Sequence, residues 1–455
     1  MPRIAIIGAG IAGLLAAHGL RRSGHEITLF SDRTPEQWLQ SRPTGTAARF
    51  APALAYERSL GLDHWHAECP PIEGAQILYC PAPGNRLATL TGRQPAPGAA
   101  IDVRLQSHRW MHELAARGAT IVIEAVSLAR LDEIAGQHDL TIVAAGKGEL
   151  ANLFERDPLR SVHSEPQRSV AMLIVHGPAL ARAGVPFVGV KNNILEGVGE
   201  AVWLPYFHRD RGPCWNLIFE ARIGGPMDIF QTARSGAEAL ARAKHVIATL
   251  TPWEAQWARD MQLADELGWL AGKITPTVRR PVGRLPSGRI VTCIGDTAIH
   301  FDPLAAQGAN NGTRMARHLV EAVDARGDAP LDAAWMTATF DRFWAEHGEP
   351  AYALTNLMLA PMNAAGRLVL IAQYGSDGAR HDACQALADA FSAAFADPRP
   401  LLAALADVPS ARRFIRATTG KSWLPQVITG ALGIARNQLR QKLGREPRHP
   451  AMPTS

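Results

Sequence analysis

Residues 4–33 read IAIIGAGIAGLLAAHGLRRSGHEITLFSDR. An apolar run, Ile4 to Ile7, predicts a strand. A glycine turn follows, then an apolar and alanine-rich helix to Leu20, a Ser23-Gly24 stop and a second strand from Glu26 to Phe30. This is a βαβ unit carrying G-x-G-x-x-G as Gly8, Gly10 and Gly13. In such a unit the first glycine makes the tight turn, the second lets a pyrophosphate approach the backbone, and the third allows close packing of helix on strand. The helix N-terminus adds free N–H groups and a positive dipole end, on which Ile11 and Ala12 lie. A carboxylate is expected about 20 residues further on, where it holds ribose hydroxyls. Here that place is Ser31, with Asp32 and Arg33 just beyond, which predicts looser adenosine binding.

Working outward, Arg42-Pro43-Thr44-Gly45-Thr46 has the small and turn-forming residues of a loop that passes close to a ligand. Residues 51–91 show no clear helix and are rich in Pro and Gly, and read as a first excursion into another domain. From Ala100 a helix runs through Trp110 and Leu114, and strands follow at Thr120 to Glu124 and Asp139 to Ala144, the latter ending at Ala145-Gly146. This alternation returns the chain to a parallel sheet. From Arg168 to Arg284 the texture changes. Val170 to Val175 is a strand, and Ala201 to Phe207 with Cys214 to Ala221 form a hairpin across His208–Pro213, while residues 233–272 read as helices. Arg289 to Ile294 is a strand again, Gln307 opens a helix through Met315 and Leu319, and the remainder is helical and alanine-rich.

The expected architecture is α/β: a Rossmann-type dinucleotide-binding domain (residues 1–50, 92–165 and 285–330), an α+β antiparallel-sheet domain (51–91 and 166–284) and a helical C-terminal region (331–455). The chain has 455 residues, 47% hydrophobic and 20% charged, ordinary for a soluble globular protein. A net charge of +5 is too small and too dispersed to point to nucleic acid. Five scattered cysteines, with no C-x-x-C, suggest neither a disulfide framework nor a metal site and fit a reducing cytoplasmic compartment. The N-terminal apolar run belongs to the βαβ unit and is not expected to be a signal peptide. Leu354 to Gln373 is too polar to span a membrane.

A second motif completes the set. Gly295-Asp296 ends a strand, Asp302-Pro303 follows, and Gln307-Gly308-Ala309-Asn310 opens a helix. A carboxylate there can hold ribityl or ribose hydroxyls, and the helix N-terminus can receive the pyrimidine edge of a flavin. The combination of GAGIAG, GDTAIHFDPLAAQGAN and AIDVRLQSHRWMHELAARG resembles the FAD-dependent aromatic hydroxylase superfamily. Within it, SDRTPEQW, DLTIVAAGKGEL followed by PQRSV, and DPLAAQGAN are similar to the oxygenase component of styrene and indole monooxygenases. The resemblance covers residues 1 to about 325, with only helical character shared beyond.

The resemblance implies that Gly8, Gly10 and Gly13 hold the FAD pyrophosphate, that Arg104 reaches a cofactor phosphate, that Asp296 binds a hydroxyl, and that Pro303 with Gln307 to Asn310 lines the isoalloxazine. Arg42, Gly45 and Thr46 would lie beside flavin and substrate. It also implies reduced FAD supplied in trans by an NAD(P)H-dependent flavin reductase, O₂ as co-substrate, a C4a-hydroperoxyflavin, and epoxidation or hydroxylation of a small styrene- or indole-like aromatic. Ala145 stands where self-sufficient hydroxylases carry the Asp of an Asp-Gly motif before Gly146. Gly45 stands where styrene-type enzymes carry an asparagine, which leaves the substrate open. Trp203, Trp215 and His300 are candidate pocket residues, although aromatics on strands are usually core. The Trp-x-Trp-x-Ile-Pro motif of flavin-dependent halogenases is missing: Trp253 and Trp257 are four apart, on an expected helix. The basic tail helix, Leu424 to Leu443, reads as a packed surface helix with membrane or reductase contact as the alternative. A homodimer remains an open assembly. Two other functions also remain open: a self-sufficient NAD(P)H-dependent hydroxylase, and a flavin-binding protein without oxygenase activity.

Overall fold

The computed structural model describes residues 2–146, 148–182, 185–375, 381–450 and 452. The chain divides into two compact units, Met1–Ala67 with Ile101–Gln167 and Ile274–Thr355, and Glu68–Ala100 with Arg168–Lys273 and Asn356–Ser455.

The first unit is built on the sheet Val282–Arg284, Ile290–Cys293, Leu140–Val143, Arg3–Ile7, Glu26–Ser31 and Thr120–Ile123, in that spatial order. All pairings are parallel except that of the edge strand Val282–Arg284. Ile4 to Ile7 are buried on both faces, which is why this strand reads as a continuous apolar run. Chain order runs outward from Arg3–Ile7 on one side and then resumes on the other, so the sheet reverses direction beside its first strand. Ligands of open α/β sheets bind at such a switch point, outside the carboxyl ends of the strands.

The second unit is an antiparallel-rich sheet in the order Gln262–Leu263, Arg168–His176, Gly212–Ala221, Gly199–His208, Val190–Leu195, Ile72–Cys80 and Ala88–Ala100. Gly199–His208 and Gly212–Ala221 pair along their whole length, Gly199 with Ala221 and His208 with Gly212. Helix Gly236–Leu250, capped by Ser235, buries Ala239, Ala243, Val246 and Ile247 on one face of the sheet. Helix Asp382–Ala393 brings Ala388 against Ala75, Ile77 and Leu90 on the other.

Several local expectations are corrected. Residues 51–91 contain helix Ala51–Ser59, which opens with Pro52 in its first turn, and the crossing into the second unit comes at Glu68. Residues 233–272 are one helix followed by strands Gln262–Leu263 and Trp269–Ile274, which join the sheet beside Arg168–His176. Trp253 lies in the short turn Pro252–Glu254, not in a long helix. The helical C-terminal region is divided, with helix Ala333–Phe343 in the first unit and residues 356–455 in the second.

Candidate functional site

The motif loops meet at the carboxyl ends of three adjacent parallel strands. Arg3–Ile7 leads into Gly8, Leu140–Val143 into Ala145 and Gly146, and Ile290–Cys293 into Gly295 and Asp296. Gly8 has φ +117°, and a Cβ there would collide with the Ala144 carbonyl. A Cβ at Gly13 would collide with the Gly8 carbonyl, so helix Ile11–Arg22 can approach its strand only through this glycine. A Cβ at Gly10 would meet nothing within 4 Å. Gly10 is the helix N-cap and offers no side-chain acceptor to the first N–H groups. The three glycines thus divide between a turn, a packing contact and an open helix start without a side-chain cap.

Asp296 is exposed between the buried residues Gly295 and Thr297. Its carboxylate Oδ1 lies 3.8 Å from the position of a Cβ on Gly308. Pro303 opens the turn Pro303–Ala305, where the Asp302 carboxylate accepts from the Leu304 N–H at 3.2 Å. Ala306 takes a left-handed conformation at φ 52° and is the N-cap of helix Gln307–Arg326, so this helix also begins without a side-chain cap. Gly308 and Ala309 are half-buried there. The buried Gln307 donates to the Ala305 carbonyl at 2.9 Å. Asn310 accepts from the Phe50 N–H at 2.8 Å and donates to the Ala48 carbonyl at 3.0 Å, which ties the chain just after Arg42, Gly45 and Thr46 to the helix start. Ala12 packs beside Gly295 and Gly312, so the two uncapped helices begin side by side. These donor sets and cradles fit an FAD.

Other expected residues are placed less simply. The Ser31 hydroxyl donates to the Arg33 carbonyl at 2.7 Å and accepts from the Arg33 N–H, so it is engaged in its own turn. Asp32 is exposed and pairs with Arg33 at 3.5 Å. Arg104 is fully buried; it makes a two-pronged ion pair with Asp102 (2.9 and 2.7 Å) and donates to the Ser41 carbonyl at 3.3 Å. Gly146 has φ +68° with open space around it, and its carbonyl accepts from Thr297. Arg42 is exposed, and Gly45 also faces open space. His300 is buried in a two-residue pairing with Thr277.

Trp203 and Trp215 are corrected: both are completely buried in the core of the second unit under helix Gly236–Leu250. The Trp203 indole N–H donates to Glu254 at 2.8 Å and that of Trp215 to the Pro178 carbonyl at 3.1 Å. The two rings stack edge to face at 6.0 Å, each also against Trp257. Tail helix Trp423–Lys442 packs through Gly430, Gly433 and Asn437 and leaves Leu424, Ile428, Leu432 and Leu439 exposed.

The sequence reading missed the buried groups that hold these loops. Arg49 pairs with Glu57 and donates to Gln106 at 2.9 Å, all three completely buried, and burial pushes the Glu57 carboxyl up. Ser107 donates to the Ala9 carbonyl at 3.0 Å, inside the glycine turn. In the second unit Glu254 collects Lys191 at 2.6 Å and Asn193 at 2.7 Å besides Trp203. No local pattern announces these contacts: Arg49 and Glu57 are eight residues apart, and the other partners lie 51 to 98 residues apart. Among the described residues one group, Glu36, His108 and His112, brings possible metal-binding atoms within 4.8 Å of one another; Glu36 and His112 are exposed and already paired at 3.0 Å. No single helix among the described residues is long and apolar enough to cross a membrane.

Comparison with known proteins covers both units. A family model described as the styrene monooxygenase A putative substrate binding domain matches residues 146–257, and one for an NAD(P)-binding Rossmann-like domain matches residues 6–35. The chain is 27% identical over 327 residues to styrene monooxygenase StyA of Pseudomonas fluorescens, covering 70% of this chain and 77% of the relative. A StyA of a further Pseudomonas species is 28% identical over the same span. Among solved structures, p-nitrophenol 4-monooxygenase PnpA of Pseudomonas putida superposes with a TM-score of 0.57 at 16% identity, over 92% of this chain and 97% of that one. The flavin-dependent brominase Bmp2 gives 0.59 at 14% identity, over 97% and 99%. At such identities the structural likeness establishes the fold and not the reaction.

Proposed function

We infer that this chain, a styrene monooxygenase-like member of the FAD-dependent aromatic hydroxylase superfamily, is a flavin-dependent monooxygenase. FAD and O₂ are its cofactor and co-substrate. The finer reading is that reduced FAD comes from a separate NAD(P)H-dependent reductase, and that one oxygen atom passes to a small aromatic of styrene or indole type, by epoxidation or hydroxylation. The observation that carries the reading is the convergence of the Gly8–Gly13 turn, the Gly295-Asp296 turn and the uncapped start of helix Gln307–Arg326.

Bound FAD would supply the activation of O₂; the protein's part is to bind, orient and exclude water. Gly8, Gly10 and Gly13, with the N–H groups of Ile11 and Ala12, would hold the pyrophosphate, and Asp296 a hydroxyl of the ribityl chain. The first N–H groups of helix Gln307–Arg326 suit negative charge at the flavin's pyrimidine end. Pro303 and the 42–46 loop would border the reacting edge, the loop anchored by Asn310 and by the Arg49–Glu57 pair. Supply in trans is supported by Ser31, which leaves no carboxylate where ribose is usually held, and by Ala145 ahead of Gly146.

The test mixes the purified chain with chemically reduced FAD, O₂ and styrene or indole. Oxygenated product at the expense of hydrogen peroxide is expected. Peroxide alone would favour a flavin-binding protein without oxygenase activity, and steady NAD(P)H oxidation by the chain alone would favour a self-sufficient hydroxylase.

A further inference from the structure

The hairpin of the second unit has two faces of different character. Residues alternate along a strand, so Trp203, Trp215, Leu217 and Phe219 go under helix Gly236–Leu250, and the residues between them go to the opposite face. There Asn216 stands between Leu204 and Ile174, while Val202 stands between Asn192 and Ile218. This opposite face is buried and mixed: Asn192 at 5% exposure and Asn216 at 0% stand among Ile174, Val202, Leu204 and Ile218, with Glu220 and the Arg168–Glu200 ion pair further along the same face.

Neither asparagine is satisfied. The Asn216 amide nitrogen points at the Met172 sulfur, 3.5 Å away. A thioether can only accept, so this contact orients the amide and sends its carbonyl oxygen the other way. That oxygen is buried and meets no donor among the described residues, and the Asn192 carbonyl oxygen is in the same condition. A buried acceptor without a donor is strongly unfavourable, and an apolar side chain would fit this face without that penalty. Two such acceptors set among Val202, Leu204, Ile174 and Ile218 are accounted for if a ligand brings the donor. Both lie within the stretch matched by the substrate-binding family model.

We propose that Asn192 and Asn216 recognise the substrate, accepting hydrogen bonds from an N–H or O–H donor on its ring, and so select an indole-, aniline- or phenol-type aromatic over a bare vinylarene. The two residues are separated by one intervening strand and two residues of register, about 12 Å between Cα atoms from sheet spacings. A ring laid over Val202 and Leu204 is within reach of either amide. The proposal rests on the monooxygenase reading above and adds the chemistry of the substrate.

Indole and indene have nearly the same shape and differ in carrying N–H or CH₂, so calorimetric binding of each to the unaltered protein isolates the donor. Indole is expected to bind about tenfold more tightly. In Asn216→Leu and Asn192→Leu the preference should narrow, with indene affinity retained or improved. Equal affinities in the unaltered protein, absence of indole binding, or a preference untouched in both variants would overturn the proposal. The ligand comparison needs no variant, so a substitution that prevents folding does not decide it. Binding also needs no turnover: a retained indole preference without oxygenated product would sink the monooxygenase reading alone, and product formation with equal binding would sink the recognition alone.

Discussion

At the scale of single residues, Gly10 and Gly13 are the same amino acid under opposite constraints. Gly13→Ala must push a methyl group into the Gly8 carbonyl and should lower stability by about 1–3 kcal/mol or more, visible in denaturant unfolding. Gly10→Ala meets open space, so its unfolding midpoint should stay near that of the parent while FAD affinity, read by fluorescence titration, falls. Asp102 is a carboxylate partner of the buried Arg104 and also accepts from the Arg104 N–H at the helix start. Asp102→Ala should cost about 3–5 kcal/mol by removing the buried carboxylate that this cation grips with two N–H groups. His18 gives the pH dependence. Its ring is held between the Trp110 carbonyl at 2.9 Å and Arg117 at 3.0 Å, and burial, together with the Arg117 charge, outweighs the Trp110 hydrogen bond and pulls its pKa down to about 4. A folded pKa below the unfolded value of 6.5 favours the neutral ring. Its stabilisation is complete above pH 6.5, fades as pH falls towards 4, and amounts to about 3 kcal/mol. His18→Gln should flatten that part of the stability–pH curve. The turn at Gly8 and the packing contact at Gly13 were legible in the sequence because they are local; Asp102–Arg104 and His18–Trp110–Arg117 were not, because spacing does not say which polar residues become buried.

At the scale of elements, the parallel strands were readable from continuous apolar runs, and the hairpin from its turn. The turn, however, does not say which face of the hairpin meets helix Gly236–Leu250, and the aromatic residues invite assignment to the ligand. Packing decides otherwise, because the largest apolar surfaces go to the covered face. Trp203→Phe removes the N–H that Glu254 accepts and should cost about 1–3 kcal/mol in unfolding experiments, while leaving the indole-to-indene preference unchanged. A shift in that preference would show that the two faces are not independent. Helix Ala51–Ser59 was missed although Pro52 is a good opening residue, because the Gly- and Pro-rich stretch around it dominated the reading. Strands Gln262–Leu263 and Trp269–Ile274 are short pieces whose identity comes from Arg168–His176 beside them.

At the scale of the whole molecule, the changing texture of the sequence suggests two excursions between units, while the return to the second unit at Asn356 leaves no such mark. The limits of the units were not legible: they fall after Ala67, Ala100, Gln167, Lys273 and Thr355, where no turn cluster or break of periodicity marks them. The engaged hydroxyl of Ser31 has a consequence beyond the site. With serine and not a carboxylate at residue 31, the adenosine end of a bound FAD would be gripped by fewer contacts, and its dissociation would compete with catalysis. Such a protein should leave a desalting column colourless, and its velocity in a cell would follow the size of the free flavin pool it shares with every other flavoprotein.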